Sequence, residues 1–319
     1  MAENHPAPDK RAQSGIWSII LGLAAASIVL AFILLGAMML VGGLTRISGW
    51  YLMQLIPPAL GLLALLLVAI SIIARRGLTR LAALVGVLGL VALLPLVMLV
   101  RPVAFPADLE ASEPAATVRL PADVPLTVAW GGDSIATNYH AATPDQRWAY
   151  DLLVEPYLSG SDDLAGYGCY GVTVVAPAAG VVAAIHDGEP DATPGVISNN
   201  LSAPAGNYVA IRLETDSYLL IAHLKPGSVL VAEGESVEEG QPIGQCGNSG
   251  NTSEPHIHIH HQRQNPADVP INFAEGLPLY FRDHVDQSGN PGPAMPEGGI
   301  EPQGEGFVPV GPTLSHQGE

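Results

Sequence analysis

The chain has 319 residues, room for one or two domains, and its charge is unevenly spread. Residues 1–101 hold seven Lys/Arg and two Asp/Glu, a net of +5, whereas residues 102–319 hold six and 28, a net of −22 within the total of −17. So acidic a second part excludes nucleic-acid binding, which needs Lys and Arg to neutralise phosphates, and a charged fraction of only 13% sits badly with a wholly soluble chain.

The excess apolarity lies before Pro102, in three stretches: Ile16 to Leu44, Tyr51 to Ala74 and Leu81 to Val100. Each is about as long as the roughly 20 residues that cross a bilayer as a helix, and none carries the polar face of a soluble core helix. Pro57-Pro58 and Pro95 are expected near span ends, where a break is tolerated. A cleaved signal peptide does not suit the length of the first stretch or the two behind it. Lys10 and Arg11, then Arg75, Arg76 and Arg80, outweigh Arg46 and Arg101, so the N-terminus is expected in the cytoplasm. Three crossings then put everything after Arg101 outside. No Asp, Glu, Lys or His falls within a span, which favours an anchor in the lipid bilayer over a transporter.

Residues 102–124 read as a Pro/Ala/acidic linker, within which Val118 to Leu120 looks strand-like. Leu126 to Trp130 reads as a strand, and Gly131-Gly132-Asp133 as a turn. The run Gln146 to Val154 enters a core as a strand, with Asp151 interrupting its apolar residues. A buried carboxylate there needs a cation, a metal or hydrogen-bond donors. Ser159 to Tyr167 is a Gly/Asp/Ser-rich insertion; Asp162 and Asp163 lack the spacing of a calcium loop, so a solvated loop is expected. Gly171 to Ile185 gives two strands split at a Pro/Gly turn. Asn207 to Leu213 and Ser217 to Leu224 form a hairpin around Thr215-Asp216, and Gln241 to Cys246 leads into the next block. Pro270 to Phe273 and Leu277 to Phe281 are expected as closing strands. Residues 285–319 are Gly/Pro/Glu-rich and are expected to be disordered. The fold class is therefore an N-terminal all-α transmembrane region of three helices (1–101), then a mainly antiparallel all-β domain (125–284).

The chemistry gathers where residues 256–260 alternate His and Ile, ahead of His261 and Gln262. Period two is a strand, so His256, His258 and His260 share one face and Ile257 and Ile259 the other. Three stacked imidazoles repel if protonated and need polar partners if neutral. A divalent metal answers both needs, since neutral imidazole is a zinc ligand; a plain His-rich edge strand is the alternative. Cys169 and Cys246 each sit beside an expected strand in the external part. An oxidising compartment allows them a disulfide, and two buried thiols are the other reading.

In chain order the remaining constellation is His140, Asp151, His223, His256 and His258. Asn138-Tyr-His140 with Tyr150-Asp151, the run Gly171 to Val182, Ile221-Ala-His223-Leu224, Glu239 to Gly244, and Gly247-Asn-Ser-Gly250 ahead of Pro255-His256-Ile-His258 carry a likeness. Over about residues 125 to 275 the chain resembles the lysostaphin/LytM-type zinc endopeptidases. That resemblance implies one zinc held by His140, Asp151 and His258, with the two non-ligand active-site histidines at His223 and His256. Three protein ligands leave a fourth position open, as a catalytic zinc requires. Ten residues separate His140 from Asp151 where many members have three. Asp145 is nearer, but it follows Pro144 in a loop, whereas Gln146 to Asp151 fits a Gln-Arg-x-Ala-x-Asp pattern seen in a subset. His260 and His261 are expected outside the catalytic set, as surface imidazoles or partners of the ligands. The resemblance implies a membrane-anchored zinc endopeptidase acting outside the cytoplasm on peptidoglycan or another peptide substrate. A non-catalytic peptidoglycan-binding or hydrolase-activating module of the same fold is the alternative.

Overall fold

The computed structural model describes residues 10–303 and 306–318. Residues 1–9, 304–305 and 319, parts of the expected membrane region and tail, lie outside the described residues. The chain divides into two units, residues 1–102 and 103–319.

The first unit is helical: α1 (Lys10–Val41), α2 (Gly43–Arg75) and α3 (Arg80–Ala92), the last running on into a 3₁₀ turn, Leu94–Leu99. Gly42 and Gly43, at φ 86° and 55°, make the break between α1 and α2. Arg76 ends α2 in the left-handed region, and the Thr79 side chain caps α3 by accepting from Ala82 N. Gly15–Val41, Gly43–Arg75 and Arg80–Leu99 are long and apolar enough to cross a membrane. Gly61 and Gly89 let α2 and α3 touch: a Cβ on Gly61 would stand 2.6 Å from Gly89 O.

One expectation shifts here. Pro57 and Pro58 lie well inside α2 rather than near its end. The polar residues expected as a loop are helical instead, Arg46 Nε donating to Met39 O (2.9 Å) and Ser48 Oγ to Leu44 O (2.8 Å). Their polar groups are satisfied against helix carbonyls, so the helix begins earlier.

The second unit is built from short strands. β1 (Ala116–Val118), β2 (Leu126–Trp130) and β3 (Tyr150–Leu153) come first, then β4 (Thr173–Val175) and β5 (Gly180–His186). The hairpin of β6 (Asn207–Arg212) and β7 (Tyr218–Leu224) turns at Asp216, which takes φ 55°. β8 (Ser236–Val237), β9 (Pro242–Gln245), β10 (Ile257–Gln262), β11 (Gly276–Leu277), β12 (Leu279–Phe281) and β13 (His284–Asp286) follow. The hairpin β14 (Ile300–Gln303) and β15 (Gly306–Pro309) and the strand β16 (Thr313–His316) complete the order.

The main sheet runs β13-β16-β2-β3-β10-β7-β6-β5-β8, with β11 beside the far end of β10. Its pairs are antiparallel, whereas β1 runs parallel to β12 in a separate two-stranded sheet. The unit is thus mostly antiparallel β. Val128, Tyr150, Leu152, Val209, Ile211, Ile221, Ile257, Ile259 and Phe281 form its core. Cys169 and Cys246 are bridged by a disulfide within it.

Three further expectations change. The stretch read as a linker folds onto the β unit, because Val118 and Leu120 are apolar and find the core, and β1 finds β12. Pro270 to Phe273 is no strand: Phe273 N donates back to Pro270 O in a 3₁₀ turn, and a proline cannot donate to a ladder. The tail expected to be disordered carries β13 to β16. Leu314 enters the core, and the Thr127 and Thr313 hydroxyls meet at 2.8 Å between β2 and β16.

Candidate metal centre

Two strands and a turn assemble the site. Antiparallel register sets His258 of β10 opposite Asp151 of β3, and opposite Ala222 of β7 on its other side. His223, next along β7, sits at φ 61°, a bend that a non-glycine residue takes at a cost. His140 comes from a 3₁₀ turn, Tyr139–Ala142. The buried Asn138 side chain caps that turn by accepting from His140 N, and donates to Gly132 O (2.9 Å) and Ala149 O (3.1 Å). One asparagine thereby ties the turn to the chain entering β3.

His140 Nε2 lies 2.9 Å from Asp151 Oδ2, and His258 Nδ1 lies 2.8 Å from Asp151 Oδ1. One ligand atom from each residue falls within 4.8 Å of the others, the one such group among the described residues. All three side chains are buried, at 4% to 5% exposure. Burial pushes the Asp151 carboxyl up, but the facing His140 and His256 outweigh it and hold it well below the usual range. Burial brings His258 down to about 4 against the pull of Asp151, so its ring is neutral near neutral pH. Two imidazole nitrogens and an ionised carboxylate in a nearly dry space are the donor set that a zinc-type cation takes. The residues present fit that ion.

His223 and His256 stand beside this set, their ring centres 4.7 Å apart. His223 Nδ1 is 2.7 Å from Ser249 O, and His256 Nδ1 is 2.8 Å from Glu254 O. A carbonyl only accepts, so both rings carry their hydrogen on Nδ1 and keep Nε2 as the basic nitrogen. His256 Nε2 is 3.5 Å from Asp151 Oδ1. Burial, and then His256 and His258, hold His223 well below the ordinary histidine value. Burial pulls His256 down as well, but Asp151 and the Glu254 carbonyl outweigh it and the net shift is upward. The backbone beneath His223 is close-packed: Gly206 and Gly250 both have positive φ, and a Cβ on Gly250 would strike the backbone of Gly206.

His260 and His261 are not at the surface; each is 1% exposed. His260 Nδ1 is 2.9 Å from His258 Nε2. His261 points to the opposite face of β10, between Ser217 Oγ (2.7 Å) and Pro278 O (3.0 Å). In the insertion, the Asp163 side chain caps a 3₁₀ turn by accepting from Ala165 N.

Tyr139 lies inside the Asn138-Tyr-His140 motif but has no role in the sequence reading. Its hydroxyl donates to Asp151 Oδ2 (3.2 Å), and its ring lies 4.0 Å from that of His140 and edge-on to Trp130. Its place next to His140 was the available signal. Glu254 was also missed; its carboxylate accepts from Leu158 N (2.8 Å) and so fastens the residue that leads into the insertion. A cleft of about 310 Å³ opens here, lined by Trp130, Tyr139, Asp151, Ile197, His256 and Ile300.

Residues 167–270 match the sequence model of Peptidase family M23. The match takes in Cys169, His223, Cys246, His256 and His258, and stops short of His140 and Asp151, which reach the site through the fold. Solved structures with partial similarity include a peptidase M23 from Pseudomonas aeruginosa, 19% identical over 45% of this chain and 44% of that one (TM-score 0.28). The catalytic domain of lysostaphin from Staphylococcus simulans is 18% identical over 40% and 73% (0.26). A zinc-containing peptidase from Vibrio cholerae is 17% identical over 50% and 39% (0.27). The chain thus spans under half the length of the Pseudomonas and Vibrio proteins. At such TM-scores these likenesses carry no argument, and the similarity to the family lies in the match at residues 167–270.

Proposed function

We propose, from the match of residues 167–270 to Peptidase family M23, that this chain is a membrane-anchored zinc metalloendopeptidase of that family that hydrolyses peptide bonds of peptidoglycan outside the cytoplasm. The observation that carries the reading is the convergence of His140, Asp151 and His258, with His223 and His256 offering Nε2 alongside.

His140, Asp151 and His258 would hold the ion. Zinc, when bound, supplies Lewis acidity, polarising a carbonyl and bringing the pKa of water toward neutrality. The remaining work falls to the chain. Peptide hydrolysis takes a proton from water and delivers one to the leaving amine. His223 and His256 are suited to both transfers at Nε2, each ring being locked by its Nδ1–H on a carbonyl. The Tyr139 hydroxyl steadies Asp151 at the edge of the cleft. Burial of the whole set keeps bulk water out and strengthens each electrostatic contact.

The three apolar helices suit an anchor. The loop charges favour a cytoplasmic N-terminus, and the Cys169–Cys246 bridge agrees with an oxidising compartment beyond it.

Two experiments test the proposal. Digestion of defined cross-linked peptidoglycan fragments by the full chain, with the products weighed, should yield fragments differing by one peptide bond; intact fragments would contradict hydrolysis. Protease added outside spheroplasts should remove residues 103–319, and full protection would reverse the orientation.

A further inference from the structure

His258, His260 and Gln262 lie on one face of β10, at every second residue. We infer that Gln262 and His260 form a positioning relay that fixes the proton of His258 on Nε2 and keeps its Nδ1 bare for the metal. The inference rests on the zinc reading above.

The relay starts at a backbone carbonyl. Gln262 Nε2 lies 2.6 Å from Gln264 O. A carbonyl only accepts, so the amide nitrogen of Gln262 must face it and Oε1 must face away. The flipped amide would press two oxygens together with no hydrogen between them. The backbone around this carbonyl is itself held. Arg263 N donates to Glu275 O (2.9 Å), and Glu275 N donates to Gln264 Oε1 (2.7 Å).

From there each step dictates the next. Gln262 Oε1 is 2.9 Å from His260 Nε2, so His260 carries hydrogen on Nε2. Neither hydrogen-bond partner of His260 is anionic and the ring is 1% exposed, so it is neutral and its Nδ1 accepts. That Nδ1 is 2.9 Å from His258 Nε2, which must therefore donate. The single hydrogen of a neutral His258 is then on Nε2, and the Nδ1 lone pair faces Asp151 Oδ1 at 2.8 Å.

The relay works against a real competitor. Without an acceptor at Nε2, the Asp151 carboxylate would draw the His258 hydrogen to Nδ1 and close the ligand position with a hydrogen bond. Outer partners of metal-ligating histidines act in this way in general, setting tautomer and ring orientation. Here the outer partner is another histidine, oriented in turn by a glutamine.

The test is the zinc affinity of the full chain in detergent, measured by competition with a chromophoric chelator at fixed pH. His260→Leu removes the acceptor and should weaken binding by about 10- to 100-fold. His260→Asn places Oδ1 as many bonds from Cα as the Nδ1 it replaces, and should restore affinity close to wild type. Gln262→Met leaves His260 in place, should weaken binding in the same direction, and serves if His260→Leu fails to fold. Wild-type affinity in His260→Leu or Gln262→Met, or an equal loss in His260→Asn, overturns the relay; His258→Ala, still abolishing binding, would leave the zinc reading standing. A wild-type chain that binds no zinc overturns both.

Discussion

Asp151 and His258 face each other across neighbouring antiparallel strands, Oδ1 2.8 Å from Nδ1, so the sheet register itself sets the spacing of two of the three candidate ligands. Asp151→Asn and His258→Ala should each weaken zinc binding by more than the roughly 10- to 100-fold of an outer partner. Metal analysis of the purified full chain checks this, and a wild-type zinc content in either variant would contradict it.

Tyr139 touches the same carboxylate from the cleft side. A hydrogen bond to a charged group contributes about 1.5–3 kcal/mol when well enclosed. Tyr139 is half exposed, so the low end applies. Tyr139→Phe should lower kcat/KM about tenfold with zinc content unchanged. An unchanged kcat/KM would remove the residue from the site.

Asp145 is fully buried, and among the described residues no well-formed hydrogen bond reaches either of its carboxylate oxygens. Burial raises its pKa to about 8, an effect its own amide and the Gln146 groups offset only in part. An unfolded aspartate titrates near 3.9. Between about pH 4 and 8 the native chain keeps a proton that the unfolded chain has released, so stability falls by about 1.4 kcal/mol per pH unit as pH rises. Asp145→Asn should match wild type below that window and be clearly more stable at pH 8. Denaturant curves across the range measure it, and parallel pH profiles would refute it.

The Cys169–Cys246 bridge closes a sequence separation of 77 within the core. Chain-entropy arguments give a loop of that length about 4.5 kcal/mol. The double Cys→Ala variant should unfold at correspondingly lower denaturant, and reductant should move wild type toward it. No shift with either change would show that the bridge does not hold the β unit together.

The parts of this molecule that announce themselves locally were legible. Three long apolar runs need no partner to be recognised, and the alternation at His256, His258 and His260 fixed their shared face. Asp151 stood out locally as a carboxylate in an apolar run, but its pairing with His140 was legible only through a resemblance, because one comes from a strand and the other from a turn, with no periodicity linking them. The C-terminal stretch misled for a physical reason. Its glycines read as disorder, yet a Cβ on Gly298 would stand 2.7 Å from Trp130 Cα, and Gly299 N donates to Ala129 O. Those glycines serve close backbone approach, and Ile300 beside them lines the cleft. Asp145 does lie in a turn, as read, but nothing local foretells its burial: Gly276 of the distant strand β11 donates to Pro144 O beside it.

Hydrolysis of cross-linked peptidoglycan by the full chain, followed through chelation and zinc restoration in wild type and His258→Ala, tests the central claim most directly. Wild-type cleavage that stops with chelator and returns with zinc, alongside an inert His258→Ala chain, is the predicted result. Cleavage that persists through both chelation and the loss of His258 would contradict it.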